Sequence, residues 1–293
     1  FGHDGGWTIR EVNRKGAASN LDLVFRAVSN SHRLAIKCNA QAEKNRQQFD
    51  ALLRMHRLGV DCARPVWIAE DESLYVMEWL AGADLRQRMQ GARRLEVIAA
   101  TGRWLREFHR RSAAWVPRRD PMLRTVVPPG RPRDLSLAVA ERLERRRLSL
   151  RLAFGPTAAL HTDFQLQNLA ARGGRIYAYD PVRPAIGNVY GDVTRFLITT
   201  EIQRGLANMR GQRWPDCSQT DRAAFLFAYG TVPRMWRSQF EVLEDLQLGQ
   251  LWRASIRRGD HRLRPAARHR LIERIMRRRG ILDHGESAIP GRG

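Results

Sequence analysis

The sequence predicts an α+β fold in two lobes: a small antiparallel sheet with one helix, followed by a mainly helical lobe. Three observations predict it. Up to about residue 80, short runs rich in β-branched and aromatic residues alternate with polar turns, and a single helical stretch lies among them. Beyond Ala81-Gly82-Ala83, apolar residues recur at helical spacing in most segments. A glycine-turned hairpin interrupts those helices in mid-chain. With 293 residues the chain can bury two cores. The expected division is 1–80 for the first lobe, 81–283 for the second, and 284–293 for a polar, glycine-rich disordered tail.

The elements follow in order. Trp7 to Val12 is a strand, Asn13 to Ser19 a polar turn, and Leu21 to Val28 a second strand with Leu21, Leu23 and Phe25 alternating. Leu34-Ala-Ile36 is a third strand that delivers Lys37 at its end. From Ala42 to about Leu58 the period becomes helical, with Phe49, Leu52, Leu53 and Met55 as the apolar stripe, and Gly59 stops the helix. Pro65 to Ala69 and Ser73 to Met77 form the strand pair that closes the sheet. Leu95 to Arg111 is a helix with Ile98, Trp104, Leu105 and Phe108 on one face. Residues 116–132 form a proline- and arginine-rich loop, and Leu135 to Leu148 a further helix. Leu169 to Ala171 and Arg175 to Tyr179 pair across Gly173-Gly174. Helices are expected over Asp192 to Arg204, from Asp221 with Ser218 as N-cap, and around 237–257 and 265–279.

Composition sets the compartment and the charge. No apolar stretch approaches the ~20 residues needed to cross a bilayer, and no basic-then-apolar leader opens the chain. Cys38, Cys62 and Cys217 are few, odd in number and widely spaced, which fits a reducing cytoplasm and argues against a disulfide framework and a zinc cluster. Net charge is +21, and Lys15, Lys37 and Lys44 are the only lysines, so nearly all the positive charge is arginine. Either the partner is anionic, or the bias is a coding preference spread along the chain. A surface this positive is poorly suited to gathering polycations.

The chemistry lies in His161-Thr-Asp-Phe-Gln-Leu-Gln-Asn168, followed by Asp180 at the end of an apolar run. His-x-Asp-x-x-x-x-Asn is the spacing of a kinase catalytic loop. Asp163 is the candidate base that orients an attacking hydroxyl and takes its proton late. His161 is a second catalytic candidate. The reaction needs only one base, so its alternative role is to fix the loop by a hydrogen bond. Asn168 and Asp180 offer the hard oxygens that magnesium prefers, and a carboxylate leaving a buried strand calls for a cation. Lys37 can reach the phosphates of ATP. Glu43 is the only glutamate of the following helix and so the candidate acidic partner of Lys37, although Gln47 and Gln48 stand nearer the helix middle. Gly16 and Ser19, in the first turn, can set backbone N–H groups against phosphates. No P-loop motif is present.

Together these segments resemble the aminoglycoside phosphotransferase family, the small-molecule branch of the protein-kinase-like fold, over roughly residues 7–255. The resemblance rests on His161 to Asn168, Tyr177-Ala-Tyr-Asp180 and Gly187-Asn-Val-Tyr-Gly-Asp192, with Leu34-Ala-Ile-Lys37, Val76-Met-Glu-Trp-Leu80 and Trp104-Leu-Arg-Glu-Phe-His109 in support. It implies transfer of phosphate from ATP with Mg2+, an adenine held by the backbone from Glu78 to Leu80, and a second buried aspartate at Asp192. Two departures stand out. Thr162 occupies a position where glycine is usual, and Asp180 is followed by Pro181-Val182-Arg183 rather than by Phe-Gly or a second acidic residue, which weakens the case for two metals.

The acceptor is the open question. Residues 205–280 hold many arginines and few acids, apart from the cluster Glu241, Glu244 and Asp245, which could form a local acidic patch. A neutral or anionic acceptor is expected, such as a sugar, a phosphorylated sugar or a lipid-linked saccharide. A kinase of lipopolysaccharide-core sugars, peripheral to the inner membrane, is one form of this. The arginine-rich helix carrying Leu271, Ile272, Ile275 and Met276 could lie on an anionic membrane, or pack on the core. The competing readings are a pseudokinase and a basic nucleic-acid-binding protein. Against the latter stands the absence of any helix-turn-helix, zinc-finger or RNA-stacking signature.

Overall fold

The chain begins with a five-stranded antiparallel sheet. The computed structural model describes residues 6–15, 22–113, 145, 155–209, 211, 214, 218–259 and 263–277. Strands β1 (Thr8–Lys15), β2 (Asp22–Val28), β3 (Arg33–Asn39), β4 (Pro65–Ile68) and β5 (Leu74–Glu78) lie in the order β1-β2-β3-β5-β4. Pro65 cannot donate to a ladder, and it sits on the edge strand, where that costs nothing. A bulge between Glu11 and Asn13 breaks the β1 register, and β1 runs through the expected turn as far as Lys15. Lys37 is not at the end of its strand. Cys38 and Asn39 continue the pairing with β2, so Lys37 lies inside β3 opposite Val24 and Tyr75.

Helix α1 (Ala42–Arg57) packs on this sheet with Asn45, Gln48, Leu52 and Met55 turned inward, one residue on each turn. Two of those four are amides, and they carry polar contacts into the interior. Asn45 Nδ2 donates to the carbonyls of Glu72 at 2.7 Å and Ser73 at 2.9 Å, and Asn45 Oδ1 accepts the Asn39 N–H at 3.1 Å. The amides thus tie the end of β3 to the β4–β5 turn. Gly59, in the left-handed region at φ +68°, ends the helix as expected.

The rest is mostly helical. Short β6 (Ala83–Asp84) and α2 (Leu85–Arg88) lead to α3 (Arg94–Ser112). Then come β7 (Thr157–Leu160), a 3-10 turn (Leu166–Asn168), the hairpin β8 (Leu169–Arg172) and β9 (Arg175–Ala178), and β10 (Ala185–Asn188). Helices α4 (Tyr190–Met209), α5 (Ser218–Tyr229), α6 (Arg237–Arg258) and α7 (Leu263–Arg277) complete the described chain. Two pairings were not foreseen in the sequence: β7 with β10, and β6 with β8. The loop expected at 116–132, most of the helix expected from Leu135 to Leu148, and the tail at 284–293 lie outside the described residues.

The main core lies in this second part, where Trp104, Phe108, Phe164, Phe196 and Phe225 are buried together. Phe164 stacks on Trp104 with ring centroids 5.5 Å apart, and Phe196 on Phe225 at 4.6 Å. A separate cluster joins α4, α6 and α7: Ile198, Ile202, Trp252 and the fully buried Ala267 belong to it, and Ile272 packs against it. Of the apolar residues expected on this helix, Ile272 packs on the core, and the side chains of Leu271, Ile275 and Met276 lie outside the described residues. Among the described residues, no helix is long and apolar enough to cross one.

Candidate active site

The candidate loop is shaped by alternation. Phe164 and Leu166 are fully buried anchors, while Asp163, Gln165 and Asn168 line the cavity above them. The loop leaves β7, whose Ala158, Ala159 and Leu160 are buried, and it is held from beneath by Asp192 in the first turn of α4. The Asp192 carboxylate accepts the N–H of His161 at 2.7 Å and the N–H of Thr162 at 3.0 Å. His109 Nε2 lies 3.4 Å from the same carboxylate, and His109 Nδ1 lies 2.9 Å from the Tyr229 hydroxyl. A carboxylate buried this completely is tolerated because it is bonded this fully. The resemblance expected a second buried aspartate, and Asp192 is one.

Thr162 has φ +67°, a region that β-branched residues avoid. This is the physical reason why glycine suits the position. The strained threonine is fixed by its N–H on Asp192, by its hydroxyl donating to the His161 carbonyl at 2.5 Å, and by the Val182 N–H donating to that hydroxyl at 3.3 Å.

Asp163, Asn168, Asp180 and Lys37 converge on one cavity of about 910 Å³ between the sheet-bearing part and the helices. Asn168 Nδ2 donates to Asp163 Oδ2 at 2.9 Å, which turns the amide oxygen the other way. Lys37, buried, forms an ion pair with Asp180 Oδ1, and Gln48 Nε2 donates to the same oxygen at 3.1 Å. Both contacts fall on Oδ1, leaving Oδ2 for another partner. The positive φ of Asp180, +58°, is one that aspartate tolerates.

His161 differs from the catalytic expectation. It is fully buried and absent from the cavity lining, and its Nε2 meets the Tyr179 carbonyl at 3.1 Å. That contact ties the loop to the segment just past β9 that carries Asp180. Burial lowers the His161 pKa against the pull of Asp192, so the ring is neutral and Nε2–H donates. The geometry makes it a positioning residue.

Glu43 is also corrected. Its carboxylate is exposed and accepts the Gln47 amide at 2.6 Å, while Lys37 pairs with Asp180 and the inward place on α1 belongs to Gln48. Glu78 and Leu80 lie at the end of β5 and just past it, outside the lining of this cavity. The N–H of Glu78 donates to the Arg64 carbonyl at 2.8 Å and that of Trp79 to the Arg33 carbonyl at 2.9 Å. Gly16 and Ser19 lie outside the described residues. Of the suspected acidic cluster, Glu244 and Asp245 are buried and Glu244 pairs with Arg222, while Glu241 is exposed.

The residue that sequence reasoning missed is Arg195 of α4. Its Nη2 and Nε donate to Asp163 Oδ1 at 2.6 and 3.2 Å, and its Nη1 reaches Gln247 Oε1 at 3.5 Å. Gln165 Nε2 donates to Asp163 Oδ2 at 2.8 Å. Burial raises the Asp163 carboxyl, but the Arg195 guanidinium, with His161 and the Asn168 amide adding to it, outweighs burial and holds it below the usual carboxylate range. Asp163 is therefore ionised at neutral pH. One signal for Arg195 was available: it is the only charged residue between Asp192 and Glu201. Asp22 and Lys44 also line the cavity and pair at 2.7 Å.

A small antiparallel sheet, a helical lobe and this loop held on a buried aspartate define a protein-kinase-like phosphotransferase. The chain belongs to the phosphotransferase enzyme family, which matches residues 8–226. Solved structures share the fold at low identity. A choline/ethanolamine kinase family protein from Mesorhizobium loti is 15% identical with a TM-score of 0.67, covering 94% of this chain and 89% of its own. A thermostable mutant of aminoglycoside phosphotransferase APH(4)-Ia is 12% identical with a TM-score of 0.67, covering 93% and 96%. Amicoumacin kinase hAmiN, in complex with AMP-PNP, Ca2+ and Ami, is 15% identical with a TM-score of 0.61, covering 89% and 88%. Among curated proteins, none matches the chain in sequence.

Proposed function

We propose that the chain moves the γ-phosphate of ATP to a hydroxyl of a small molecule or saccharide, with Mg2+ as the accompanying metal. The observation that carries this reading is the convergence of Asp163, Asn168, Asp180 and Lys37 on one cavity. The oxygens left over fit a hard cation: the Asn168 amide oxygen and Asp180 Oδ2. Among the described residues, no group of three or more His, Cys, Asp or Glu is placed to hold a metal. Magnesium bound with a nucleotide needs only one or two protein ligands, the phosphates and water supplying the rest, so metal and nucleotide would enter together. When bound, the metal neutralises charge on the phosphates.

The chain's own residues do the remainder. Lys37 leaves Asp180 to meet the phosphates as a point charge. Asp163 orients the acceptor hydroxyl and takes its proton as the oxygen–phosphorus bond forms. The backbone near Leu80 holds adenine, since the N–H groups of Glu78 and Trp79 are already engaged. ATP as donor draws support from hAmiN, solved with an ATP analogue. The test is thermal unfolding with ATP–Mg, with ATP plus EDTA, and with neither. A ligand bound only to the folded state at 100 times its Kd adds about 2.7 kcal/mol. Stabilisation by ATP–Mg alone, followed by γ-phosphate transfer to one member of an alcohol and sugar panel, is expected. No stabilisation by ATP–Mg would overturn the reading.

A further inference from the structure

Resting on the reading of Asp163 as the base, we propose that the acceptor is a hydroxyl compound bearing a carboxylate or phosphate, and that this anion draws Arg195 off Asp163. A carboxylate offers about four lone-pair positions. Four donors occupy them here: Arg195 Nε and Nη2 on Oδ1, and Gln165 and Asn168 amides on Oδ2. An acceptor hydroxyl must take one of those places.

Arg195 is the donor built to yield. Asn168 is locked in the same loop by a second bond, 2.9 Å, to the Asp163 carbonyl. Gln165 belongs to that loop too and is buried. Arg195 comes from another element, already reaches Gln247, and carries five N–H donors of which three are engaged. A planar fork suits a carboxylate or phosphate. Its departure frees Oδ1 for the hydroxyl and removes the charge that weakens Asp163 as a base. The acceptor O–H bond then breaks with its proton going to Asp163, the oxygen bonds to the γ-phosphorus, and the bond to ADP breaks with its electron pair leaving on ADP.

The other charges agree. Among the described residues, each carboxylate lining the resting cavity is paired with one cation: Asp22 with Lys44, Asp180 with Lys37, Asp163 with Arg195. In the reacting complex Asp180 is committed to the metal and phosphates and Asp163 to the hydroxyl, so among the described lining residues only Asp22, held by Lys44, remains, and a cationic acceptor would also meet Arg195. Beyond Arg195 the wall holds Gln203, whose buried Oε1 has no hydrogen-bond partner among the described residues and can accept from a further hydroxyl.

The experiment measures kcat/KM with ATP–Mg for matched acceptors: glycerate against glycerol, glucose 6-phosphate against glucose, with choline and kanamycin as cations. An anionic member favoured at least tenfold over its neutral partner is expected, and which pair responds separates carboxylate from phosphate. Arg195→Gln should bring that ratio towards one, chiefly through the KM of the anion, and Arg195→Lys should restore part of it. If the glutamine variant does not fold, the wild-type ratios decide. Preference for choline, kanamycin or the neutral partners overturns the proposal, as does failure to phosphorylate any anionic member. Absence of both ATP–Mg stabilisation and phosphate transfer would instead remove the kinase reading beneath it.

Discussion

Replacing Asp192 by asparagine exchanges one oxygen for an NH2 beneath the catalytic loop, and the bonding there sets the cost. The carboxylate accepts two backbone N–H groups, at 2.7 Å from His161 and 3.0 Å from Thr162, one on each oxygen. Asparagine keeps one acceptor and sets a donor against the other N–H. A hydrogen bond to a charged group contributes about 1.5–3 kcal/mol, and a buried donor left without a partner costs a similar amount. Asp192→Asn should therefore lose about 2–4 kcal/mol of a total that is about 5–15 kcal/mol for such domains. Activity should fall further than stability. Thr162 at φ +67° stores roughly 1–3 kcal/mol of strain, which these bonds hold in place. Released, the loop relaxes and carries Asp163 with it, and a displacement of about 1 Å costs on the order of 10²-fold in rate. Nucleotide affinity should fall less than turnover, because Lys37 and Asp180 stand on other elements and only Asn168 belongs to the loop. Urea unfolding, steady-state kinetics and ATP titration on one preparation supply the three numbers. A stability loss under about 0.5 kcal/mol with unchanged kcat would refute the reasoning.

Three further outcomes are expected. A Cβ on Gly102 would sit 2.6 Å from the Phe225 carbonyl where α3 crosses α5, so Gly102→Ala should cost about 1–3 kcal/mol in urea unfolding, and wild-type stability would contradict the crossing. The second concerns pH. Burial depresses the His161 pKa, so the unfolded chain takes up that proton first and stability drains as pH falls below about 6.5. Asp163, held low by Arg195, adds a second loss only below about 4. The step between pH 7 and 5 should shrink in His161→Gln, and an unchanged step would dismiss the neutral-histidine account. Third, Lys37→Met should raise the KM for ATP at least tenfold, measured at saturating acceptor.

Much of the site was legible because its residues lie close in sequence. His161 to Asn168 fits in one loop, and the alternation of Phe164 and Leu166 with Asp163 and Gln165 marks which side faces the core. Asp192 came from its place in the motif. The errors have physical causes. On a helix of 3.6 residues per turn, Glu43 lies about 140° around α1 from Gln48, so the helix that presents Gln48 to Lys37 turns Glu43 outward. The inward row of Asn45, Gln48, Leu52 and Met55 could have been found by period, but two amides in it concealed an apolar stripe. β7 and β10 are four-residue strands of mostly small residues with little strand propensity, and only tertiary pairing reveals them. Arg195 was hidden by abundance, because a single arginine carries little information in a chain where arginine supplies nearly all the positive charge. Its bond to Asp163 spans 32 positions of sequence and exists only once α4 is packed.

The most direct test of the central claim compares Asp163→Asn with Asp180→Ala in ATP–Mg binding and phosphate transfer. The account predicts that the first variant binds ATP–Mg near the wild-type Kd while transfer falls by about 10²–10⁴-fold, and that the second loses magnesium-dependent binding. Wild-type turnover in the Asp163 variant, or undiminished ATP–Mg affinity in the Asp180 variant, would contradict it.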